Sequence, residues 1–387
     1  MLGRLVGFPT VSADSNRALI EFIADYLSGY GIQADVAITP DGQKADLFAT
    51  IGPMTEGGIV LSGHSDVVPV TDQDWTSDPF TMAERDGRLF GRGTTDMKGF
   101  IAVALALVPE WVERGLKVPF HLAFSYDEEV GCLGAPGLVR RLCERVPRPH
   151  AAIIGEPTEH KVVGAHKGIS AFTTTVTGKP AHSSDPREGV NANVAAARCV
   201  QFLDELQAEF REAAAGGGAT AFGSEFDPPY STFNIGLLDG GSAVNIIAAK
   251  CKLVWECRAI AGTDAEEARR RLDEFVAANI NPPMKAKAPE TGVVTELLVS
   301  APPLVADENS PAIALAMQLT GENRPQAVPF ATEAGIFQDA GIPAVVCGPG
   351  SVRQAHQPDE FIALGELDEC AAFLRRLADW ACDDSRV

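Results

Sequence analysis

The sequence has few basic residues for its length, and this shortage limits the partners that the protein can bind. Among 387 residues, 32 lysines and arginines stand against 52 aspartates and glutamates, which gives a net charge of -20. Nucleic acids and anionic membranes attract basic surfaces, so we expect neither as a partner. A cationic substrate agrees with this charge, but charge spread over a whole surface says little about one pocket.

Long apolar runs and paired cysteines are also missing. No stretch approaches the ~18 apolar residues needed to cross a bilayer, and Met1–Pro9 is too short and too soon interrupted to be expected as a signal peptide. The eight cysteines are scattered without a CxxC pair, which argues against a disulfide scaffold or a zinc ribbon. We therefore expect a soluble cytoplasmic protein with reduced thiols.

The first 167 residues predict one α/β layer. Short apolar strands alternate there with amphipathic helices, which is the pattern of a mostly parallel sheet covered by helices. The predicted helices are 14–30 and 97–112, and the predicted strands are 32–38, 46–51, 59–61, 120–126 and 151–154. In such a sheet, ligand sites lie at the carboxyl ends of the strands.

A different order follows over residues 168–300. Strands are predicted at 171–176, 231–238, 250–260 and 293–299, with helices at 190–210 and 264–280 and a glycine-rich loop at 215–219. The order β-α-β-β-α-β is that of a ferredoxin-like unit. The α/β pattern resumes over 301–387, with helices at 311–319, 333–340 and 365–381 and a strand at 344–347. We therefore predict a discontinuous first domain, 1–167 and 301–387, into which residues 168–300 are inserted.

Potential metal ligands recur at the strand ends and following loops of the first domain. They are His64, Asp96, Glu128 or Glu129, Glu156 and His356. Two histidines and three carboxylates suit a pair of zinc-like ions that share one bridging carboxylate. The adjacent Glu128 and Glu129 can divide the work, since one carboxylate must stay off the metal to take a proton from water. Asp66, two residues after His64, is close enough to fix the tautomer of that imidazole.

Five ordered segments carry a resemblance to a known family. The signature segments of the M20 metallopeptidase family resemble His64–Asp66, Gly93–Gly99, Asp127–Glu129, Gly155–Thr158 and Ala355–His356. The resemblance covers essentially the whole chain, including the family's inserted lid and dimerisation domain. Within the family, the acetylornithine deacetylases are most similar to this chain at Glu156–Thr158, Ala165–Gly168, Ala331–Gly335 and Cys347–Gly350.

The resemblance implies a role for each residue of the predicted metal site. Asp96 would bridge two ions, with His64 and Glu156 completing one position and Glu129 and His356 the other. Glu128 would be the general base and later the proton donor to the leaving amine, while Asp66 would orient His64. The ions would be two Zn²⁺, with Co²⁺ or another divalent ion as the alternative. A cis peptide between Asp96 and Met97 is also implied.

Further candidate site residues lie outside the predicted metal site, most of them in the inserted domain. His182, in Lys179–Ser184, is similar to the family's lid histidine and would donate to the oxyanion from the partner subunit of a homodimer. Asn245 and Arg258 are candidates for the substrate carboxylate, which the planar guanidinium of arginine matches bidentately. Glu333, in the first domain, is a candidate for a cationic side-chain amine such as that of ornithine.

The expected activity is metal-dependent hydrolysis of the N-acetyl amide of N2-acetyl-L-ornithine, giving L-ornithine and acetate for arginine biosynthesis. The nearest alternative is another M20 amidohydrolase, such as a succinyl-diaminopimelate desuccinylase or an N-acyl-amino-acid deacylase. Ala331–Gly335 favours the first activity, because the desuccinylases tend to carry a Thr-Ser-Asp segment there. A binding protein without turnover would have no need for Glu128 or His182, and a metal-free hydrolase would survive chelation.

Other polar residues have simpler explanations or stay open. His121 is expected to be an ordinary polar residue, and Cys347 a buried cysteine at the end of a strand with no basic neighbour to activate it. For His166, hinge packing and substrate contact are both compatible with the sequence. Arg92 and Arg187 are either pocket residues or surface charges, and the sequence does not decide between these alternatives.

Overall fold

The computed structural model describes residues 1–215, 226–263 and 265–383, which form two compact units. The first unit comprises Met1–Ala165, Leu304–Ala327 and the described chain from Thr332 onward. The second comprises His166–Pro303 and Val328–Ala331. Residues 216–219 of the predicted glycine-rich loop lie outside the described residues.

The secondary structure follows the predicted order and adds short elements to it. The strands are β1 (Ala34–Ile38), β2 (Ala45–Ile51), β3 (Ile59–His64), β4 (Ala83–Arg85), β5 (Arg88–Phe90), β6 (Phe120–Ser125), β7 (Ala151–Ile154), β8 (Val163–His166), β9 (Gly168–Thr177), β10 (Thr232–Gly240), β11 (Lys250–Ala259), β12 (Gly292–Ala301), β13 (Gln326–Val328), β14 (Ala344–Val346) and β15 (Phe361–Ala363). The helices are α1 (Leu2–Val6), α2 (Arg17–Ser28), α3 (Lys98–Arg114), α4 (Ala135–Arg145), α5 (Ala192–Ala213), α6 (Ala265–Phe275), α7 (Asn281–Lys287), α8 (Pro311–Thr320), α9 (Ala334–Asp339) and α10 (Leu364–Ala381), and a π-helical segment (Val276–Ile280) joins α6 to α7.

The main sheet confirms the predicted α/β architecture. Its strand order is β1-β2-β6-β3-β7-β14-β8-β13, and the central neighbours β6, β3, β7 and β14 run parallel. Every residue of β3, β6 and β7 is buried, which explains why these segments are nearly continuous apolar runs. The pairs β1–β2 and β2–β6 are antiparallel, a reversal that the alternation of strands and helices did not predict.

Helices cover this sheet and join its core. The buried residues of α2 are Leu19, Ile20, Ile23 and Leu27, the apolar positions that predicted an amphipathic helix. Helix α3 is buried along most of its length and packs against β3, α1 and α10. Among the described helices, none combines the length and the apolar character needed to cross a membrane.

The second unit is an antiparallel sheet with the strand order β10-β11-β9-β12. Helices α5 and α6 pack against it, and the chain passes through its elements in the predicted order β-α-β-β-α-β. Along β11, alternate residues are buried, namely Cys251, Leu253, Trp255 and Cys257. This period-two burial is what a sheet with one covered face requires.

Candidate metal centre

Three neighbouring parallel strands end at one place in the first unit. Strand β3 lies between β6 and β7, and His64 at the end of β3 pairs with Ser125 at the end of β6. Glu128 and Glu129 follow β6, and Glu156 follows β7. Because the carboxyl ends of parallel strands meet at one edge of a sheet, the ligand candidates converge where α/β proteins form their sites.

Two glycines let the start of α3 approach these strand ends. A Cβ atom at Gly63 would lie 2.9 Å from Cε of Met97, and one at Gly155 would lie 2.0 Å from Cγ of Phe100. Both distances are far below the ~3.5 Å at which two carbon atoms make favourable contact. A side chain at either position would push α3 away, so the glycines allow Asp96, two residues before α3, to lie in the site. The Asp96–Met97 peptide is cis.

Asp96 lies between two histidines and presents a different oxygen to each. Its Oδ1 is 3.0 Å from Nε2 of His64, and its Oδ2 is 3.2 Å from Nε2 of His356. Nε2 of His64 is also 3.6 Å from Oε1 of Glu156, while Nε2 of His356 is 3.0 Å from Oε2 of Glu129. The five residues thus form two groups that share Asp96, which is the arrangement a bridging carboxylate requires.

This donor set fits divalent cations. Ligand atoms of His64, Asp96 and Glu129 lie within 4.8 Å of one another, and so do those of His64, Glu128 and Glu156. Oε1 of Glu129 is buried and has no hydrogen-bond partner among the described residues. A buried carboxylate oxygen without a donor is costly unless a cation meets it. Imidazoles and carboxylates are typical donors for zinc and similar ions. Glu128 therefore lies near one cation position together with His64 and Glu156, while its role as general base stays a prediction.

Burial, together with the charges and hydrogen bonds of neighbouring groups, shifts several pKa values at the site. Burial, followed by the charge of Asp96, raises the pKa of Glu129 to about 7. Burial also raises the pKa values of Glu128 and Glu156 well above their usual range. Hydrogen bonds with Asp96 and then Glu129 raise the pKa of His356 to about 10. Carboxylates held together in this way attract any positive charge that can reach them, which is the electrostatic setting of a cation site.

Asp66 contacts two parts of the site at once. Nδ1 of His64 lies 3.0 Å from the backbone oxygen of Asp66 and 3.4 Å from its Oδ1. The carboxylate accepts hydrogen bonds from the backbone N–H groups of Glu128 at 3.1 Å and Glu129 at 3.3 Å, and from the hydroxyl group of Ser12 at 2.7 Å. Asp66 is therefore placed to orient His64 and also to hold the turn that carries both glutamates.

Glu333 is buried beside the same strand ends. The hydroxyl group of Ser125 donates a hydrogen bond to its Oε1, and that of Ser62 donates to its Oε2 at 3.3 Å. The residue is only 1% exposed, and this burial raises the pKa of its carboxyl group. The structure thus brings Glu333 close to the strands that carry the ligand candidates, while its contact with a substrate amine stays a prediction.

Three predicted site residues belong to the second unit. His182 is exposed, and its Nδ1 lies 2.7 Å from the hydroxyl oxygen of Ser184. Asn245 is exposed as well. Arg258 donates two hydrogen bonds of 3.1 Å to the carboxylate of Glu256, on the less buried face of β11. The roles of these three residues stay predictions.

Burial distinguishes the polar residues that the sequence did not place in the metal site. His121 is buried outside the site, and burial lowers its pKa to about 4. Cys347 is buried too, and burial raises the pKa of its thiol to about 12, so the thiol is unreactive. Arg187 is exposed, whereas Arg92 is only 1% exposed and is therefore not a surface charge.

Sequence reasoning missed several polar residues that pack around the site. They are Ser12, Ser62, Gln73, Ser125 and Glu360. Serines and single acidic residues outside a motif give no local signal, because their partners are distant in sequence. The position of Glu360, four residues after His356, was the one available clue.

Comparison with known proteins gives concordant matches. Residues 60–380 match the model of peptidase family M20/M25/M40. The acetylornithine deacetylase of Pasteurella multocida (strain Pm70) is 35% identical over 393 residues, covering 99% of this chain and 97% of the relative. That of Proteus mirabilis (strain HI4320) is 34% identical over 387 residues, covering 98% and 95%. A solved M20 family metallo-carboxypeptidase from Sulfolobus solfataricus matches with a TM-score of 0.77 at 16% identity and covers 98% of both chains, a likeness of fold.

Proposed function

The chain belongs to peptidase family M20/M25/M40 and is a metal-dependent hydrolase, and we propose that it hydrolyses the N-acetyl amide of N2-acetyl-L-ornithine. The products would be L-ornithine and acetate, a step of arginine biosynthesis. Acetylornithine deacetylases that match nearly the whole chain at 35% and 34% identity support this substrate. The main structural support for a hydrolytic metal site is the position of Asp96 between His64 and His356.

The proposed cofactors are two Zn²⁺ ions, with Co²⁺ or another divalent ion as the alternative. His64, Asp96 and Glu156 would hold one ion, and Asp96, Glu129 and His356 the other. Two divalent cations, when bound, polarise the amide carbonyl and make a nearby water molecule a stronger acid. The assignment is supported by the two Asp96 oxygens, which face separate histidines at 3.0 Å and 3.2 Å.

Glu128 is the proposed general base. Its carboxylate would accept a proton from the attacking water as oxygen adds to the acyl carbon, and would then deliver that proton to the leaving amine nitrogen. A carboxylate next to the attacking water is a suitable group to accept its proton, and ligand atoms of Glu128, His64 and Glu156 lie within 4.8 Å of one another. The hydrogen bond from the Glu128 backbone to Asp66 supports this role, because it fixes the point from which the side chain extends.

The substrate would be recognised by groups of opposite charge. Asn245 and Arg258 are proposed to bind the α-carboxylate of the substrate. Glu256 already pairs with the guanidinium of Arg258, so it would compete with the substrate for that group. Glu333 is proposed to bind the side-chain ammonium group. Because Glu333 is buried, direct contact between its carboxylate and the substrate is the first part of this proposal to test. His182 is proposed to donate a hydrogen bond to the oxyanion of the tetrahedral intermediate.

A cytoplasmic homodimer formed through the second unit is the proposed assembly. The unit exposes a set of large apolar side chains, which are Leu237, Leu238, Val294, Leu297 and Leu298. They lie on β10 and β12, the two edge strands of the sheet, and an exposed apolar edge strand is a surface that another chain can bind. Light scattering of the wild-type protein and of Leu237→Glu and Leu297→Glu variants tests the assembly, because the charged variants would be monomeric.

The substrate proposal is tested by measuring kcat/KM on three compounds with the same enzyme preparation. N2-acetyl-L-ornithine, N-acetyl-L-methionine and N-succinyl-diaminopimelate separate a deacetylase for ornithine from an aminoacylase and from a desuccinylase. We expect the highest kcat/KM on acetylornithine and loss of activity after chelation. A preference for the succinylated compound would overturn the substrate, whereas activity that survives exhaustive chelation would overturn the metal mechanism.

A further inference from the structure

A buried carboxylate holds the backbone that carries Asp96. The side chain of Glu360 accepts hydrogen bonds from the backbone N–H groups of Gly93 at 3.0 Å, Thr95 at 2.8 Å and Asp96 at 3.1 Å. Glu360 is only 1% exposed. Three donors on one carboxylate fix the path of residues 93–96, and therefore fix the position from which the Asp96 side chain extends.

Arg92 donates a further hydrogen bond to this carboxylate and links it to a second loop. Its Nη1 donates to Glu360 at 2.7 Å, and its Nη2 donates to Oε1 of Gln73 at 2.6 Å. The guanidinium carbon also lies 5.0 Å from the centroid of the Trp75 ring. A buried arginine with a carboxylate, an amide and an aromatic ring around it has one orientation, which makes it a rigid link.

Gln73 joins this link to the other histidine of the site. Its Nε2 donates a hydrogen bond of 2.9 Å to the backbone oxygen of His356. The His356 backbone adopts the left-handed conformation with φ of 64°, which is uncommon for residues other than glycine. The same two loops meet again where Asp359 accepts hydrogen bonds from the backbone and the hydroxyl group of Thr76.

We propose that Glu360, Arg92 and Gln73 form a positioning network that sets Asp96 and His356 at the spacing required to bind two divalent cations. The network touches only the backbone of these two residues, so it acts through them. The inference rests on the proposed metal function. Disturbing the Asp96 end of the network should weaken the binding of both ions, because Asp96 would contact both. Disturbing the His356 end should weaken the binding of one ion, because His356 would contact only that one.

The two ends can be disturbed separately. In Glu360→Gln the side chain keeps its shape, but its amide nitrogen cannot accept a hydrogen bond, so the donors of residues 93–96 lose acceptors. In Gln73→Met the N–H donor to His356 is removed while the Glu360 carboxylate stays in place. Glu366→Gln is the matched control, since Glu366 also accepts a backbone hydrogen bond, from Gly350 at 3.0 Å, but contacts none of the proposed ligands.

The test is competition between the metal-free protein and a chromophoric chelator for Zn²⁺, which yields a Kd for each ion. Residues that support metal ligands change metal affinity by about 10- to 100-fold when they are replaced. We expect Gln73→Met to weaken the binding of one of the two ions by this factor and to leave the Kd of the other near its wild-type value. Glu360→Gln should weaken both ions, and Glu366→Gln should weaken neither.

One further measurement and the second variant keep this test decisive. Circular dichroism identifies folded variants, and if Glu360→Gln does not fold, the partly exposed Gln73→Met variant decides the outcome. Wild-type values of both Kd in folded Gln73→Met and Glu360→Gln would overturn the network, as would a wild-type protein that binds fewer than two ions. No substrate enters these titrations, so a failure to cleave acetylornithine would refute the proposed substrate without affecting the network.

Discussion

The carboxylate of Asp66 accepts a hydrogen bond of 3.1 Å from the backbone N–H of Glu128. This bond connects the residue proposed to orient His64 with the residue proposed to move the proton. The two functions are therefore mechanically coupled through one buried side chain. Replacing it disturbs ligand orientation and base position together.

Asp66→Asn should lower metal affinity and kcat in the same variant. The neutral amide has one acceptor oxygen for the backbone N–H groups of Glu128 and Glu129 and no negative charge to offer His64, so we expect a loss of about 10- to 100-fold in affinity for the ion bound by His64. Ser12→Ala is the control, because it removes one donor from the same carboxylate and leaves its charge. Chelator competition and steady-state kinetics check both variants, and an Asp66→Asn protein with wild-type Kd and kcat would contradict the coupling.

Glu128→Ala should keep two zinc ions and lose turnover. A positioned general base contributes about 10²- to 10⁴-fold to the rate, and we expect kcat to fall by this factor. Metal content after dialysis, measured by mass spectrometry, is the control within the same sample. If the variant instead loses one ion, Glu128 is a ligand, as its place within 4.8 Å of His64 and Glu156 permits.

Asp96→Asn should weaken both ions more strongly than any supporting residue does, so by more than about 100-fold. The amide has one neutral oxygen acceptor in place of two charged ones, and the two histidines face separate Asp96 oxygens. Asp127→Asn is the matched control, since Asp127 pairs with Lys44 at 2.7 Å and asparagine tolerates its positive φ of 55°. Titration with Zn²⁺ measures the difference, and equal behaviour of the two variants would refute the bridging role.

His182→Ala should lower kcat by about 10²- to 10³-fold while metal content stays at the wild-type value. The reason is the loss of a donor to the developing oxyanion, a group that exists only during turnover. His182→Gln, which keeps an N–H donor, should recover part of the rate. A change in KM with an unaltered kcat would assign His182 to ground-state binding instead.

Stability should fall at acidic pH because of His121. The pKa of this buried histidine is lowered from 6.5 to about 4, so the unfolded chain takes up a proton at a pH where the folded chain does not. Its contribution, up to about 3 kcal/mol, is complete above pH 6.5 and is lost as the pH falls toward 4. In His121→Gln the melting temperature should change less over this interval than in the wild type.

The sequence predicted those parts of the molecule that local pattern encodes. The buried strands β3, β6 and β7 are apolar runs of strand length, and the ligand candidates follow them at short distances, so His64, Glu129 and Glu156 could be expected to meet. The parallel centre of the sheet followed from the same alternation of strands and helices.

The supporting residues could not be predicted, because their partners are far away in the chain. Glu360 bonds to Asp96 across 264 positions, and Gln73 bonds to His356 across 283. Neither residue belongs to a periodic pattern, and Arg92 was equally compatible with the surface and with a pocket. Apart from the closeness of Glu360 to His356 in the sequence, it is the packing of the loops that identifies these side chains as neighbours.

The discontinuous first unit has a consequence for the order in which the protein becomes functional during its synthesis. Four of the five proposed ligands are made by residue 156, but His356 follows about 200 residues later, after the whole second unit. At ~5–20 residues per second, the ribosome needs roughly 10–40 s to cover that distance. Strand β14, which pairs with β7 in the middle of the sheet, is delayed almost as long. A nascent chain therefore carries four of the five proposed ligands on an incomplete sheet, and the fifth joins them only near the end of synthesis.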